Sequence, residues 1–78
     1  MPDPLSAFAA NLRRLRKERG LSQERLGEAA DVHMTHVSKI ERGRCEPGVR
    51  TVCKLARALR VSAGPLFEGI SGDEVGAD

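Results

Sequence analysis

The stretch HMTHVSKIERGR, residues 33–44, groups hydrogen-bond donors and positive charges in a way that suits contact with a polyanion. Wound as a helix at about 100° per residue, it places Val37 and Ile40 on one face. The opposite face gathers two hydroxyls and two cations, from Thr35, Ser38, Lys39 and Arg42. Donors of this kind favour binding to phosphates and base edges. An ordinary solvated helix surface is the alternative interpretation.

A carboxylate breaks the pattern, because Glu41 falls on the apolar side of this helix. Burying it is costly unless it is hydrogen-bonded to a cation. Arg16 lies at the flank of the apolar stripe of an earlier helix, and its planar guanidinium can bind both carboxylate oxygens. We therefore expect a buried ion pair between Arg16 and Glu41, with Arg19 as the competing partner.

The elements that position these residues are predicted to be five helices, with no strand pattern anywhere. Asp3 and Pro4 begin the first helix and Gly20 ends it. Ser22 caps the second helix, in which Gly27 indicates close approach of another backbone. The opening stretch supplies the third helix, residues 34–42. A fourth begins after the Pro47 connector and has an inner face of Val49, Val52, Leu55, Ala56 and Leu59.

The fifth predicted helix is short, with Ser62 as its cap and Leu66 and Phe67 inside it. We place one all-α domain at residues 1–68 and an acidic tail at residues 69–78, which we expect to be flexible apart from Ile70. Leu, Val, Ile and Ala must form the core, since the chain has two Phe and neither Tyr nor Trp. The expected dimer interface lies in this C-terminal part, which offers surplus apolar side chains: Val61, Leu66, Phe67 and Ile70.

The charge distribution points to a polyanionic partner. Residues 1–60 hold all 13 Lys and Arg but only seven of the 11 acidic residues, whereas residues 61–78 hold four acids and no base. The chain has no apolar run long enough to span a membrane, and its N-terminal apolar patch precedes its charges, the reverse of a signal peptide. We expect a cytoplasmic protein.

Two short helices joined by three or four residues, the second presenting polar and cationic side chains, match a helix-turn-helix. The sequence from GLSQERLGEAADVHM to LARALRVSAGPLFEG resembles the XRE-type family of phage-repressor and Cro-like domains, over about residues 8 to 69. LSQERL, VSKIERG and LARALRVS carry the resemblance at the right separations. THVSKIERG is also similar to controller proteins of restriction–modification systems.

The resemblance implies a lambda-repressor-like fold and a role for each matching residue. Base edges would be contacted by Met34, Thr35, Ser38 and Lys39. Phosphates would be contacted by Gln23, Arg42 and Arg44, and His33 is expected to touch one as well. The family carboxylate that pairs with an arginine of the first helix corresponds to Glu41, and the arginine to Arg16. The implied partners are double-stranded operator DNA, a second copy of the chain, and RNA polymerase through Glu24 and Glu28. Solvation of those two acids is the alternative.

Four positions depart from the family pattern. Asp31 stands where the turn usually has Gly, which predicts a left-handed backbone conformation that short polar residues tolerate. His33 replaces the usual Ser or Thr cap of the third helix, and Met34 offers only apolar contact, for instance to a thymine methyl. Arg60 stands where Gly often ends the fourth helix.

The sequence gives little support for a metal site, a structural disulfide or a catalytic site. The spacings of His33 and His36 and of Cys45 and Cys53 fit no standard zinc module, so we expect no metal or other cofactor. A structural disulfide is not expected in a cytoplasmic chain. No nucleophile–base pair, phosphate loop or carboxylate dyad is present, and the chain is therefore not expected to be an enzyme. The rival to a homodimeric operator-binding regulator is an antitoxin-like module that binds a partner protein.

Overall fold

The computed structural model describes residues 3–70, which form four α-helices and one short 3-10 helix. The helices are α1, Pro4–Glu18; α2, Gln23–Ala30; α3, Met34–Glu41; and α4, Val49–Leu59. The expectation of five helices was wrong, because Gly64–Phe67 makes only a single 3-10 turn. Ser62 does not cap that turn; the residue before it is Ala63, which has no side-chain oxygen to offer. Within the described residues no strand occurs.

The ends of the helices follow the capping residues that the sequence indicates. Asp3 accepts hydrogen bonds from the backbone of Leu5 and Ser6, and the Ser22 hydroxyl accepts one from the Arg25 amide at 3.0 Å. Asp31 ends α2 in the left-handed conformation at φ 58°, as predicted for the position where Gly is usual. Helix α4 likewise ends at a left-handed residue (φ 60°), the arginine at position 60.

A single hydrophobic core holds the helices together. Leu12 and Leu15, about one helical turn apart in α1, contribute to it, as do inward-facing residues of the other helices. The side chains with almost no exposure are Leu12, Leu26, Val37, Ile40, Leu55, Leu59 and Leu66. One predicted position differs from the structure. Val49 is 82% exposed because it is the first residue of α4 and lies beyond the edge of the core. Ile70 packs against the core.

The last eight residues of the predicted acidic tail, 71–78, lie outside the described part of the chain. No helix among the described residues is both long enough and apolar enough to cross a bilayer.

Gly27 sets how closely α2 approaches the start of α3. A Cβ built on Gly27 would lie 2.5 Å from the Val32 carbonyl oxygen and 3.4 Å from the Met34 amide nitrogen, both backbone atoms. The Val32 amide in turn donates to the Gly27 carbonyl at 2.9 Å. The close approach that the sequence predicted is therefore between α2 and the turn leading into α3.

Replacing Gly27 by Ala should lower the free energy of unfolding by about 1–3 kcal/mol, because the backbone of the turn must move to accept the methyl group. Thermal and urea unfolding of the Gly27→Ala variant measure this loss. Gly48→Ala is the matched control, since a Cβ at Gly48 meets nothing within 4 Å. Equal stability of the two variants would show that the turn is not tightly fixed.

Candidate nucleic-acid interface

Helix α3 begins at an unusual cap. The Nδ1 atom of His33 accepts a hydrogen bond from the Thr35 amide at 3.1 Å, and the His33 backbone is extended, as an N-cap requires. A histidine can therefore replace the usual hydroxyl residue here. An imidazole that accepts at Nδ1 has its N–H at Nε2, which can donate to a ligand.

The two faces of α3 divide as its sequence predicts. Val37 and Ile40 are buried, with 0% and 1% exposure. The opposite face turns outward: Met34, Thr35 and Lys39 are exposed and Ser38 is half-buried. The four residues expected to contact bases are thus on one accessible side of one helix, which any direct contact with DNA requires.

A buried ion pair joins the end of α3 to α1. Arg16 Nε donates to Glu41 Oε2 at 2.6 Å and Arg16 Nη2 donates to Oε1 at 3.1 Å, the two-pronged geometry expected of a guanidinium and a carboxylate. Glu41 is only 2% exposed. Gln23 Nε2 donates to Oε1 at 3.0 Å, and Arg16 Nη1 donates to the Leu21 carbonyl at 2.8 Å. Arg16, Glu41, Gln23 and Leu21 form a hydrogen-bonded cluster, here called the clasp.

Arg19, the competing partner for Glu41, does something else. Its Nε donates to the Leu59 carbonyl at 2.8 Å and its Nη2 to the Arg60 carbonyl at 3.3 Å. These carbonyls belong to the C-terminal end of α4, which lacks internal donors for them. Arg19 therefore ties α1 to the end of α4 and has no part in the clasp.

The residues expected to contact phosphates surround α3. Arg42 and Arg44 are exposed and follow directly after the helix, in the turn that contains Gly43. Gln23 gives one amide hydrogen to Glu41, and the other hydrogen of the same nitrogen remains for an anion. His33 stands at the opposite end of α3. The predicted phosphate contacts therefore lie at both ends of the helix and at the start of α2.

An apolar groove of about 690 Å³ opens on another part of the surface, lined mainly by Leu5, Phe8, Val49, Val52, Phe67 and Ile70. Of the residues expected at a dimer interface, Phe67 and Ile70 line this groove. Val61 lines a smaller cleft beside Leu15 and Leu59. Leu66 has no exposed surface, and its assignment to an interface was wrong: the 3-10 turn points it into the chain's own core.

Two side chains of α1, Asn11 and Arg13, make contacts that the sequence did not indicate. Asn11 Nδ2 donates to the carbonyls of Leu66 and Glu68, each at 2.9 Å, and so holds the 3-10 turn against α1. Arg13 Nη1 donates to the Glu41 carbonyl at 3.1 Å. No sequence pattern distinguishes Arg13 from its neighbour Arg14, which pairs with Glu18 and Glu68 instead. Arg13 and Arg14 have different partners because consecutive residues of a helix point about 100° apart around its axis.

The histidines and cysteines form no evident metal centre. Cys45 and Cys53 are free, the first half-buried and the second exposed. Across residues 3–70 no three side chains of the types His, Cys, Asp and Glu come close enough together to hold an ion. His36 is half-buried at the flank of α3.

Comparison with known proteins identifies the family to which this fold belongs. The helix-turn-helix family HTH_3 matches residues 12–66. The HTH-type transcriptional regulator DdrOP3 from Deinococcus deserti is 37% identical over 81% of this chain, which spans 50% of that protein's length. An uncharacterized HTH-type transcriptional regulator of Sinorhizobium fredii, y4dJ, is 43% identical over 77% of this chain and 78% of its own length.

Among solved structures, the restriction-modification controller protein C.AhdI from Aeromonas hydrophila superposes with a TM-score of 0.79 at 36% identity, covering 81% of this chain and 96% of that one. The short α2, the three-residue turn and the outward face of α3 define a helix-turn-helix DNA-binding domain. The chain belongs to the HTH_3, or XRE-type, family of helix-turn-helix transcriptional regulators.

Replacing Glu41 by Ala should lower the free energy of unfolding by about 3–5 kcal/mol, because the guanidinium of Arg16 would be left without its carboxylate in a largely buried site. Thermal and denaturant unfolding measure the loss. Arg14→Ala, which breaks only exposed ion pairs, is the control and should cost less than about 1 kcal/mol. An unchanged stability of Glu41→Ala would contradict a structural role for the clasp.

Proposed function

We propose that this protein is a sequence-specific regulator that binds double-stranded operator DNA as a homodimer, with α3 in the major groove. The observation that carries the proposal is the outward face of α3, whose donors are free while the opposite side of the same helix is fixed by the core and the clasp. A helix presented in this way has the shape and hydrogen-bonding capacity that the major groove accepts.

Each residue of the outward face has a chemical preference. Lys39 is a donor that suits the O6 and N7 acceptors of guanine. Thr35 and Ser38 can donate or accept, and the Thr35 methyl can also pack against a thymine methyl. Met34, 46% exposed, offers apolar contact alone. Around them, Gln23, His33, Arg42 and Arg44 would bind backbone phosphates and so fix the orientation of α3.

A homodimer follows from the small size of this reading surface. One short helix reaches only a few base pairs, so useful specificity requires two half-sites, whose centres lie about 34 Å apart on one side of the duplex. The apolar groove supplies a surface for a second copy. Val49 and Phe67, with 82% and 45% exposure, are large apolar side chains that monomeric proteins rarely leave in one contiguous patch.

The comparisons support control of transcription as the role of this binding. DdrOP3 and y4dJ are named as transcriptional regulators, and C.AhdI as a controller of restriction–modification. Each similarity covers more than three quarters of this chain, and the family match over residues 12–66 includes both helices of the helix-turn-helix.

Selection of bound fragments from a random-sequence duplex library tests the proposal, because the library contains every short operator and none has to be chosen in advance. We expect enrichment of an inverted repeat whose half-site centres are about one helical turn apart, and a gel shift with any such sequence found upstream of the protein's own gene. Failure to enrich any sequence would overturn sequence-specific binding.

Lys39→Ala should weaken binding to the selected sequence by about 5- to 150-fold, the equivalent of about 1–3 kcal/mol for a lost base contact. The same change should alter non-specific binding much less. Arg14→Ala removes a charge away from α3 and serves as the control. A uniform loss on all sequences would assign Lys39 to a phosphate and contradict the proposed base contact.

Val49→Glu should convert the dimer to a monomer, because it replaces an exposed apolar side chain of the groove by a carboxylate, beside Asp3 and Glu46, which already line it. Val49 itself contributes almost nothing to the core. A glutamate in the first turn of α4 is favourable for the helix, so the fold should persist. Sedimentation equilibrium measures the oligomeric state of both Val49→Glu and Arg50→Glu. Arg50 is next to Val49 in the chain but does not line the groove, so its variant shows whether added negative charge alone disrupts the dimer. A dimer that persists in Val49→Glu would place the interface elsewhere.

A further inference from the structure

A second concave site, distinct from the apolar groove, lies between α1 and the end of α3. It has a volume of about 400 Å³ and is lined by Ser6, Ala9, Arg13, Glu41, Arg42, Gly43 and Arg44. Three of these residues are arginines and all three are exposed. Glu41 is the single acid among these lining residues, and its carboxylate is buried in the clasp. The accessible surface of the site therefore carries positive charge alone.

The end of a helix ordinarily repels an anion because its last carbonyls point outward. In α3 these carbonyls are already bonded. The carbonyls of Ser38, Lys39 and Ile40 accept from the amides of residues 42, 44 and 43, and the Glu41 carbonyl accepts from Arg13. The carbonyls at the negative end of the α3 dipole are therefore satisfied, and an anion that enters the site first contacts guanidinium groups.

The hydrogen bond to the Glu41 carbonyl holds the Arg13 side chain at this site. One N–H of its Nη1 donates to the Glu41 carbonyl at 3.1 Å, which leaves its other N–H groups free. The turn after α3 lies against α1 here, since a Cβ on Gly43 would be 3.9 Å from the Ser6 Cα. Arg13 thus lines the same site as Arg42 and Arg44.

We propose that Arg13 completes a phosphate-binding cradle with Arg42 and Arg44, so that α1 contacts the DNA backbone beside the C-terminal end of α3. This inference rests on the proposed DNA binding and extends the phosphate contacts to a residue of α1. A backbone phosphodiester is the ligand that the site suits, because guanidinium groups bind phosphate oxygens in pairs. The contact would fix the angle of α3 and would carry no sequence preference.

The test compares Arg13→Gln with Arg14→Gln on a 30-base-pair duplex of mixed sequence, by fluorescence anisotropy between about 50 and 200 mM salt. Each phosphate contact contributes about 0.9 to the slope of log K against log salt. Arg13→Gln should therefore have a slope shallower by about 0.9 per bound subunit, or about 1.8 for the proposed homodimer. The loss of affinity relative to the unaltered protein should then shrink about 12-fold between about 50 and 200 mM salt. Arg14→Gln should keep the unaltered slope.

Arg13→Lys keeps the charge and should retain the original slope, which separates phosphate binding from a purely structural bond to Glu41. A slope of Arg13→Gln parallel to that of the unaltered protein would overturn the cradle while leaving the proposed DNA binding intact. Failure of the unaltered protein to bind any duplex would overturn both.

Discussion

The buried ion pair between Arg16 and Glu41 determines how α3 is held in this fold. Removing two charges from water is costly, and the cost is offset only where the geometry is good and the remaining hydrogen-bonding groups are satisfied. Here both carboxylate oxygens are bonded, and Gln23 and the Leu21 carbonyl complete the cluster. Because Glu41 is the last residue of α3, the clasp sets the position of that helix relative to α1 and the start of α2.

This arrangement accounts for how so small a domain presents a defined surface. Val37 and Ile40 anchor one side of α3 in the core. Gly27 lets the turn before α3 pack closely against α2, and the clasp fixes the C-terminal end of α3. The outward face then needs no support from its own side chains, whose hydrogen-bonding groups remain available to a ligand. The apolar groove lies on other elements, so contact with DNA and contact with a second copy draw on separate residues.

Much of this could be predicted from the sequence, because the signals are local. Caps, helical periodicity and the misplaced carboxylate indicated the helix boundaries, the conformation of Asp31 and the Arg16–Glu41 pair. One error concerns secondary structure, since the predicted fifth helix is only a single 3-10 turn at Gly64–Phe67. The other errors concern what a side chain contacts. Leu66 and Val49 are both apolar, and no periodicity tells whether such a residue meets its own core or the solvent; the structure buries the first and exposes the second. Arg13 was missed because its role depends on the packing angle between α1 and α3.

NMR titration with the selected operator duplex tests the proposal that the face of α3 held by the clasp is the surface that touches DNA. We predict that the backbone amides of residues 33–44 and the side chain of Lys39 change most, with the buried Arg16–Glu41 pair intact in the complex. Changes centred on the apolar groove, with α3 unaffected, would contradict it.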